Sequence, residues 1–138
     1  MRRLLLVAFA FAAGFAAHAF ADTQPQPQPQ SVTARTILES DVKGGVLEQA
    51  VVQVYQFPPG AALPWHIHPD AHEVAYILDG ALTLEIEGQG TRVLKAGEAV
   101  HVQPNSVHRG LADPAQGVKL VAVRFKPKNQ PLVTLIQR

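Results

Sequence analysis

The chain has 138 residues, a formal charge of +1 at pH 7 and no cysteine. That length gives one domain able to bury a core of its own and leaves no room for a second catalytic domain. The absent cysteines exclude disulfides, thiolate chemistry, cysteine-ligated zinc and iron–sulfur clusters, and the near-balanced charge leaves no footprint for nucleic acid or an anionic surface.

The first segment reads as targeting rather than structure. Arg2 and Arg3 give a positive start, Leu4 to Ala17 is an apolar run, and Ala19, Phe20 and Ala21 form a small-x-small cleavage site. The run is shorter than the roughly 20 residues of a membrane span and ends in His18. Residues 1–21 are therefore expected to be a cleaved signal peptide, with a mature protein that is periplasmic or secreted and has no membrane association. Without Arg2 and Arg3, ten Lys or Arg stand against eleven Asp or Glu, a formal charge of −1. Residues 22–31 follow as a Gln/Pro-rich linker, where Pro25, Pro27 and Pro29 remove backbone donors and favour an extended tether.

Residues 32–138 are expected to form the folded domain, with its core over 46–125. Short β-rich runs alternate with Gly, Pro, Asn and Asp, and no long helical periodicity appears. Strands are predicted over Val46 to Phe57, Glu73 to Leu78, Ala81 to Glu87, Thr91 to Lys95, Ala99 to Gln103 and Val118 to Phe125. Leu82, Leu84 and Ile86 share one face, and Thr83, Glu85 and Glu87 the other. Asp79 and Gly80 predict a two-residue hairpin turn, and Gly88 to Gly90 a second turn. So many short strands must close or stack to hide their edges, which predicts an all-β barrel or double-sheet sandwich.

Apart from His18, all histidines fall between Gly60 and His108. His66 and His68 are two apart, so on an extended segment both rings leave the same face. Glu73 follows after a short loop, and His108 arrives after a turn through Pro104 and Asn105. Three imidazoles and a carboxylate suit a borderline divalent ion, Mn, Fe, Co, Ni, Cu or Zn, whereas Ca and Mg want oxygen throughout. His72 points away from Glu73 on an extended chain, and His101 lies outside if Val100 and Val102 fill the core. Trp65, Tyr76 and Arg109 are candidates for lining the mouth of a substrate pocket.

These residues resemble the cupin superfamily. Its first motif is a Gly, five residues, His, one residue, His, three or four residues, Glu, six residues, Gly, and Gly60, His66, His68, Glu73 and Gly80 fit it with four residues before the Glu. In the second motif Gly97 and His108 hold their places, while Gln103, Asn105 and Ala112 stand where Pro, Gly and Asn belong. Asn is the non-glycine residue that best tolerates a left-handed backbone, so Asn105 is a sensible replacement. The resemblance covers roughly Val46 to Phe125, and the sixteen residues between Gly80 and Gly97 match the compact end of the family.

The resemblance implies a small single-domain, type-2-like cupin, a double-stranded β-helix or jelly-roll barrel. With the leader, it implies a secreted bacterial protein. It implies one divalent transition metal on His66, His68, Glu73 and His108, with open positions for a small molecule. The function it suggests is a dioxygenase-like small-molecule oxygenase in which Glu73 also accepts a substrate proton. Two alternatives stand beside it: a non-catalytic extracytoplasmic module that binds metal or a small ligand, and a metal-dependent isomerase or lyase. Pairing into a homodimer is also expected, since it would cover exposed strand edges.

Overall fold

The computed structural model describes residues 31–138. The proposed signal segment, and all but the last residue of the linker, lie outside the described residues. Among the described residues there are nine strands: β1 Thr33–Asp41, β2 Gln49–Phe57, β3 His66–Ile67, β4 His72–Ile86, β5 Gly90–Lys95, β6 Ala99–Val102, β7 His108–Ala112, β8 Val118–Lys126 and β9 Thr134–Leu135. All their pairings are antiparallel. One sheet runs β1, β2, β8, the first half of β4, then β6. The other runs β5, the second half of β4, β7, β3, β9. Their inner faces close on one core, the double-stranded β-helix that the cupin resemblance implies.

The predicted hairpin at Asp79 and Gly80 is not a hairpin. β4 runs straight through both residues and passes from one sheet to the other, with a register shift between Ile77 and Asp79. Gly80 takes a φ of 74°, and a Cβ there would lie 2.2 Å from the carbonyl oxygen of Gly117. The glycine therefore serves a bulge and a close backbone approach, which Asp-Gly composition does not distinguish from a turn. The second predicted turn does join two strands, with Gln89 N–H donating to the Ile86 carbonyl between β4 and β5.

The inward rows share a gradient. On β8, Val118, Leu120, Ala122, Arg124 and Lys126 are all buried, running from apolar to cationic. On β4 the row Ile77, Ala75, Glu73 changes in the same direction and in register, Glu73 facing Arg124. On β2 the row Phe57, Tyr55 turns polar at Gln53, opposite Ala122, before the buried Val51 faces Arg124. Phe57, Ile77, Leu82, Leu94 and Val118 plug one end of the barrel as a packed apolar core. The other end gathers Gln53, Glu73, Arg124 and the three histidines of the motif.

Candidate metal centre

His66 and His108 are direct cross-strand partners on β3 and β7. His68 follows one pleat later, so its ring returns to the same side, and all three are buried. The ring centroids are 4.2 Å apart for His66 and His108, 5.0 Å for His66 and His68, and 5.2 Å for His68 and His108. One ring nitrogen from each lies within 4.8 Å of the others.

A backbone carbonyl orients every one of these rings. His66 Nδ1 lies 2.8 Å from the Pro64 oxygen, His68 Nδ1 2.6 Å from that of Leu132, and His108 Nδ1 2.8 Å from that of Ser106. A carbonyl only accepts, so each Nδ1 carries the hydrogen and each Nε2 keeps a lone pair. Burial, reinforced by the neighbouring His108 ring, pushes His66 down to about 4. Burial also lowers His108. Both rings therefore resist the proton that would cancel their donor capacity.

Glu73 is the second residue of β4 and the direct partner of Arg124 on β8. Burial alone would raise its carboxyl, but the Arg124 guanidinium and then His68 override it and hold Glu73 at about 2. Its Oε2 lies 2.5 Å from Arg124 Nη2 and 2.9 Å from His68 Nε2. Two lone-pair-bearing atoms at that separation call for a proton or cation between them. Among the described residues, the buried side-chain atoms without a hydrogen-bond partner are Glu73 Oε2 and His108 Nε2. The Arg124 contact with Oε2 is thus an ion pair by distance without hydrogen-bond alignment. Unpartnered buried polar atoms are rare, and here both belong to one donor set of three imidazoles and a carboxylate. That set fits a divalent transition metal.

The two loops carrying the ligands are laced together. Asn105 N–H donates to the His68 carbonyl at 3.2 Å, and Asn105 and Asp70 exchange two further hydrogen bonds. Asn105 has a φ of 61°, the left-handed backbone that its place in the second motif requires.

Beside the histidines lies a small cavity of about 30 Å3, partly open to solvent. Phe57, Leu82, Leu84, Val100 and Leu120 form apolar wall, and His66, His108, Glu73 and Arg124 the polar side. Trp65, Tyr76 and Arg109 do not line it. Tyr76 alternates with buried Ala75 and Ile77 and is exposed on the outer face of its sheet. Trp65 lies under the guanidinium groups of Arg109 and Arg138, and Arg109 bonds Glu85 at 2.7 Å. His72 and His101 also sit outside the barrel, their rings stacked and joined at 2.9 Å.

Sequence reasoning missed Arg124, Gln53 and the three orienting carbonyls. Arg124 had a signal: it continues the inward row Val118, Leu120, Ala122 at a spacing of two, where a cation has no bland explanation. The carbonyls had none, since any residue offers one.

The cupin domain family matches residues 53–124, just over half of the chain. The chain belongs to the cupin family. Uncharacterized protein YdbB of Bacillus subtilis is 38% identical over 45 residues, which are 33% of this chain and 40% of that protein. The match thus spans well under two thirds of the relative's length. An uncharacterized conserved protein with a double-stranded β-helix domain from Klebsiella pneumoniae aligns with a TM-score of 0.65 at 21% identity, over 82% of this chain and 90% of that one. The polyketide cyclase RemF from Streptomyces resistomycificus aligns at 0.64 and 22% identity, over 83% and 78%. At such identities the two solved structures speak for the shared fold alone, which hosts many chemistries.

Proposed function

We propose that this cupin holds one divalent transition metal on His66, His68, His108 and Glu73 and acts on a small molecule bound in the adjoining cavity. The observation that carries the reading is the set of three imidazoles, each turned by a backbone carbonyl so that its free lone pair meets the others beside an unpartnered carboxylate oxygen. Carbonyl-held histidines of this kind are the usual outer support of a metal site. Mn, Fe, Co, Ni, Cu and Zn all suit the donors, and supply decides among them.

Bound there, the metal supplies Lewis acidity and, if redox-active, a place for oxygen chemistry. The chain's own residues do the remainder. The apolar walls exclude water, the carbonyls of Pro64, Leu132 and Ser106 fix the rings, and Arg124 keeps Glu73 ionised. An oxygenase reaction is the first reading. The rival Lewis-acid isomerase or lyase is favoured by the depressed Glu73, which makes a good ligand and a weak base. A non-catalytic binding module is the third.

Elemental analysis of the purified protein tests the reading. Near one equivalent of a transition metal is expected, and His108→Ala should remove most of it; metal-free protein from metal-replete medium overturns it. Oxygen uptake with phenolic, thiol and dicarboxylic compounds then separates oxygenase from the other two readings. Zinc as the native ion counts against oxygenase.

We read residues 1–21 as the signal that exports the protein to the periplasm or beyond, tested by N-terminal sequencing of the product. A homodimer is the assembly we propose. Val74, Tyr76, Leu78 and Phe125 are exposed on one sheet face, and such a patch is apolar area a second copy would cover. Sedimentation velocity decides between monomer and dimer.

A further inference from the structure

The buried ionisable groups at the polar end of the barrel do not balance. Apart from the histidines, the buried charged side chains among the described residues are Arg124, Lys126 and Glu73, two cations against one carboxylate. Lys126 finds only neutral acceptors: Gln49 Oε1 at 3.1 Å, the Pro127 carbonyl at 2.7 Å and that of Lys128 at 3.5 Å. Burying an unbalanced cation is costly. A divalent ion on the neutral imidazoles would add further positive charge with no further carboxylate.

Arg124 is also under-used. Its guanidinium has five N–H donors. Nη1 donates to Gln53 Oε1 at 2.8 Å, Nε to His68 Nε2 at 3.3 Å, and Nη2 forms the ion pair with Glu73. Even with the Glu73 ion pair counted as occupying one, two N–H groups have no acceptor among the described residues, although the side chain is only 3% exposed. His68 Nε2 is moreover the atom the metal reading needs, so occupancy would release the Nε donor. Gln53 is itself fixed, since Tyr55 Oη donates to the same Oε1 at 2.8 Å and the Tyr55 ring lies beneath the guanidinium. The whole fork is therefore held rigid, and Arg124 borders both the apolar cavity and a second recess beside His66, Pro64 and Leu135.

From these spare donors of a buried, rigidly held guanidinium at the cavity wall we infer that the cavity takes an anionic ligand, a small carboxylate with a short apolar body, and that Arg124 binds its carboxylate. A planar fork with spare donors matches a carboxylate geometrically. The cavity walls, Phe57, Leu82, Leu84 and Leu120, match the apolar body. Glu73 occupies Arg124 in the free protein and yields part of it to the ligand. The inference rests on reading the cavity as a small-molecule site.

The experiment titrates benzoate and 2-methylpropanoate, each beside its neutral amide, into the full chain by calorimetry, once metal-stripped and once with one equivalent of zinc. Each carboxylate should bind at least ten-fold more tightly than its amide, and Arg124→Met should abolish that preference in the stripped protein. Glu73→Gln, which frees the guanidinium, should tighten carboxylate binding to the stripped protein several-fold, and it decides the matter if Arg124→Met does not fold. Amides that bind as well as carboxylates, or no tightening in Glu73→Gln, overturn the inference. Failure to take up zinc while stripped protein still prefers carboxylates overturns the metal reading alone.

Discussion

Asp70 and Asn105 hold each other across two loops: Asn105 Oδ1 accepts the Asp70 N–H at 3.1 Å, and Asn105 Nδ2 donates to Asp70 Oδ1 at 3.0 Å. They are also the described non-glycine residues with positive φ, 52° and 61°. Each pays backbone strain for a bond to the other, and the pair fixes the spacing between His68 and His108. Asn105→Ala loses both bonds and keeps the strain, so it should destabilise by about 2 kcal/mol. Asn105→Gly relieves the strain without restoring the bonds and should fall between the two. Thermal melts of the three proteins check the order; an Ala variant as stable as the parent would refute it.

The depressed His66 and Glu73 give the metal-free protein a signed pH dependence. His66 falls from 6.5 to about 4 on folding, so between those values the unfolded chain binds more protons than the folded one. Stability is then fully present above pH 6.5 and is lost as pH falls toward 4, by roughly 3 kcal/mol. Glu73, lowered from 4.5 to about 2, adds a further loss between those values. Urea midpoints at intervals from pH 7 to pH 4 should decline steadily; a flat series would show that the rings are not held neutral.

Added metal should raise the melting temperature of stripped protein, because the ion binds the folded state. At a free concentration about 1,000 times the Kd the gain is about 4 kcal/mol. His66→Ala breaks the cross-strand pair with His108 and should cancel the shift. Equal shifts in both proteins would place the ion elsewhere.

Gly80→Ala should be among the costliest single changes in the chain. Its Cβ would meet the Gly117 oxygen at 2.2 Å, against backbone that cannot swing aside, in a left-handed conformation. A loss of roughly 3 kcal/mol or more is expected, read from chemical denaturation. Gly88→Ala has open space around it and should cost much less, through its positive φ alone.

Legibility in the sequence followed range. His66, His68 and His108 were readable because alternation and spacing are local, and the barrel brings their rings together. The outward placement of His101 was readable from Val100 and Val102 for the same reason. β1 was missed because all nine of its residues are exposed, leaving no inner face to imprint a pattern. β3 and β9 have two residues each, too short for any period. The course of β4 through Asp79 and Gly80 was misread because a bulge and a hairpin ask for the same glycine. Arg124 was overlooked because its partners, Glu73 and Gln53, come from distant strands.

The tail of the chain reaches back to the motif: Ile136 N–H donates to the Trp65 carbonyl at 2.8 Å, β9 pairs with β3, and the Leu132 oxygen turns the His68 ring from 64 residues away. A ribosome emits Leu132 long after His68, so the imidazole has no fixed heading while the chain is growing. On the proposed metal reading, the three-imidazole donor set is complete only once the chain has been made as far as Leu132, so the ion would be taken up by the finished polypeptide rather than by the growing one.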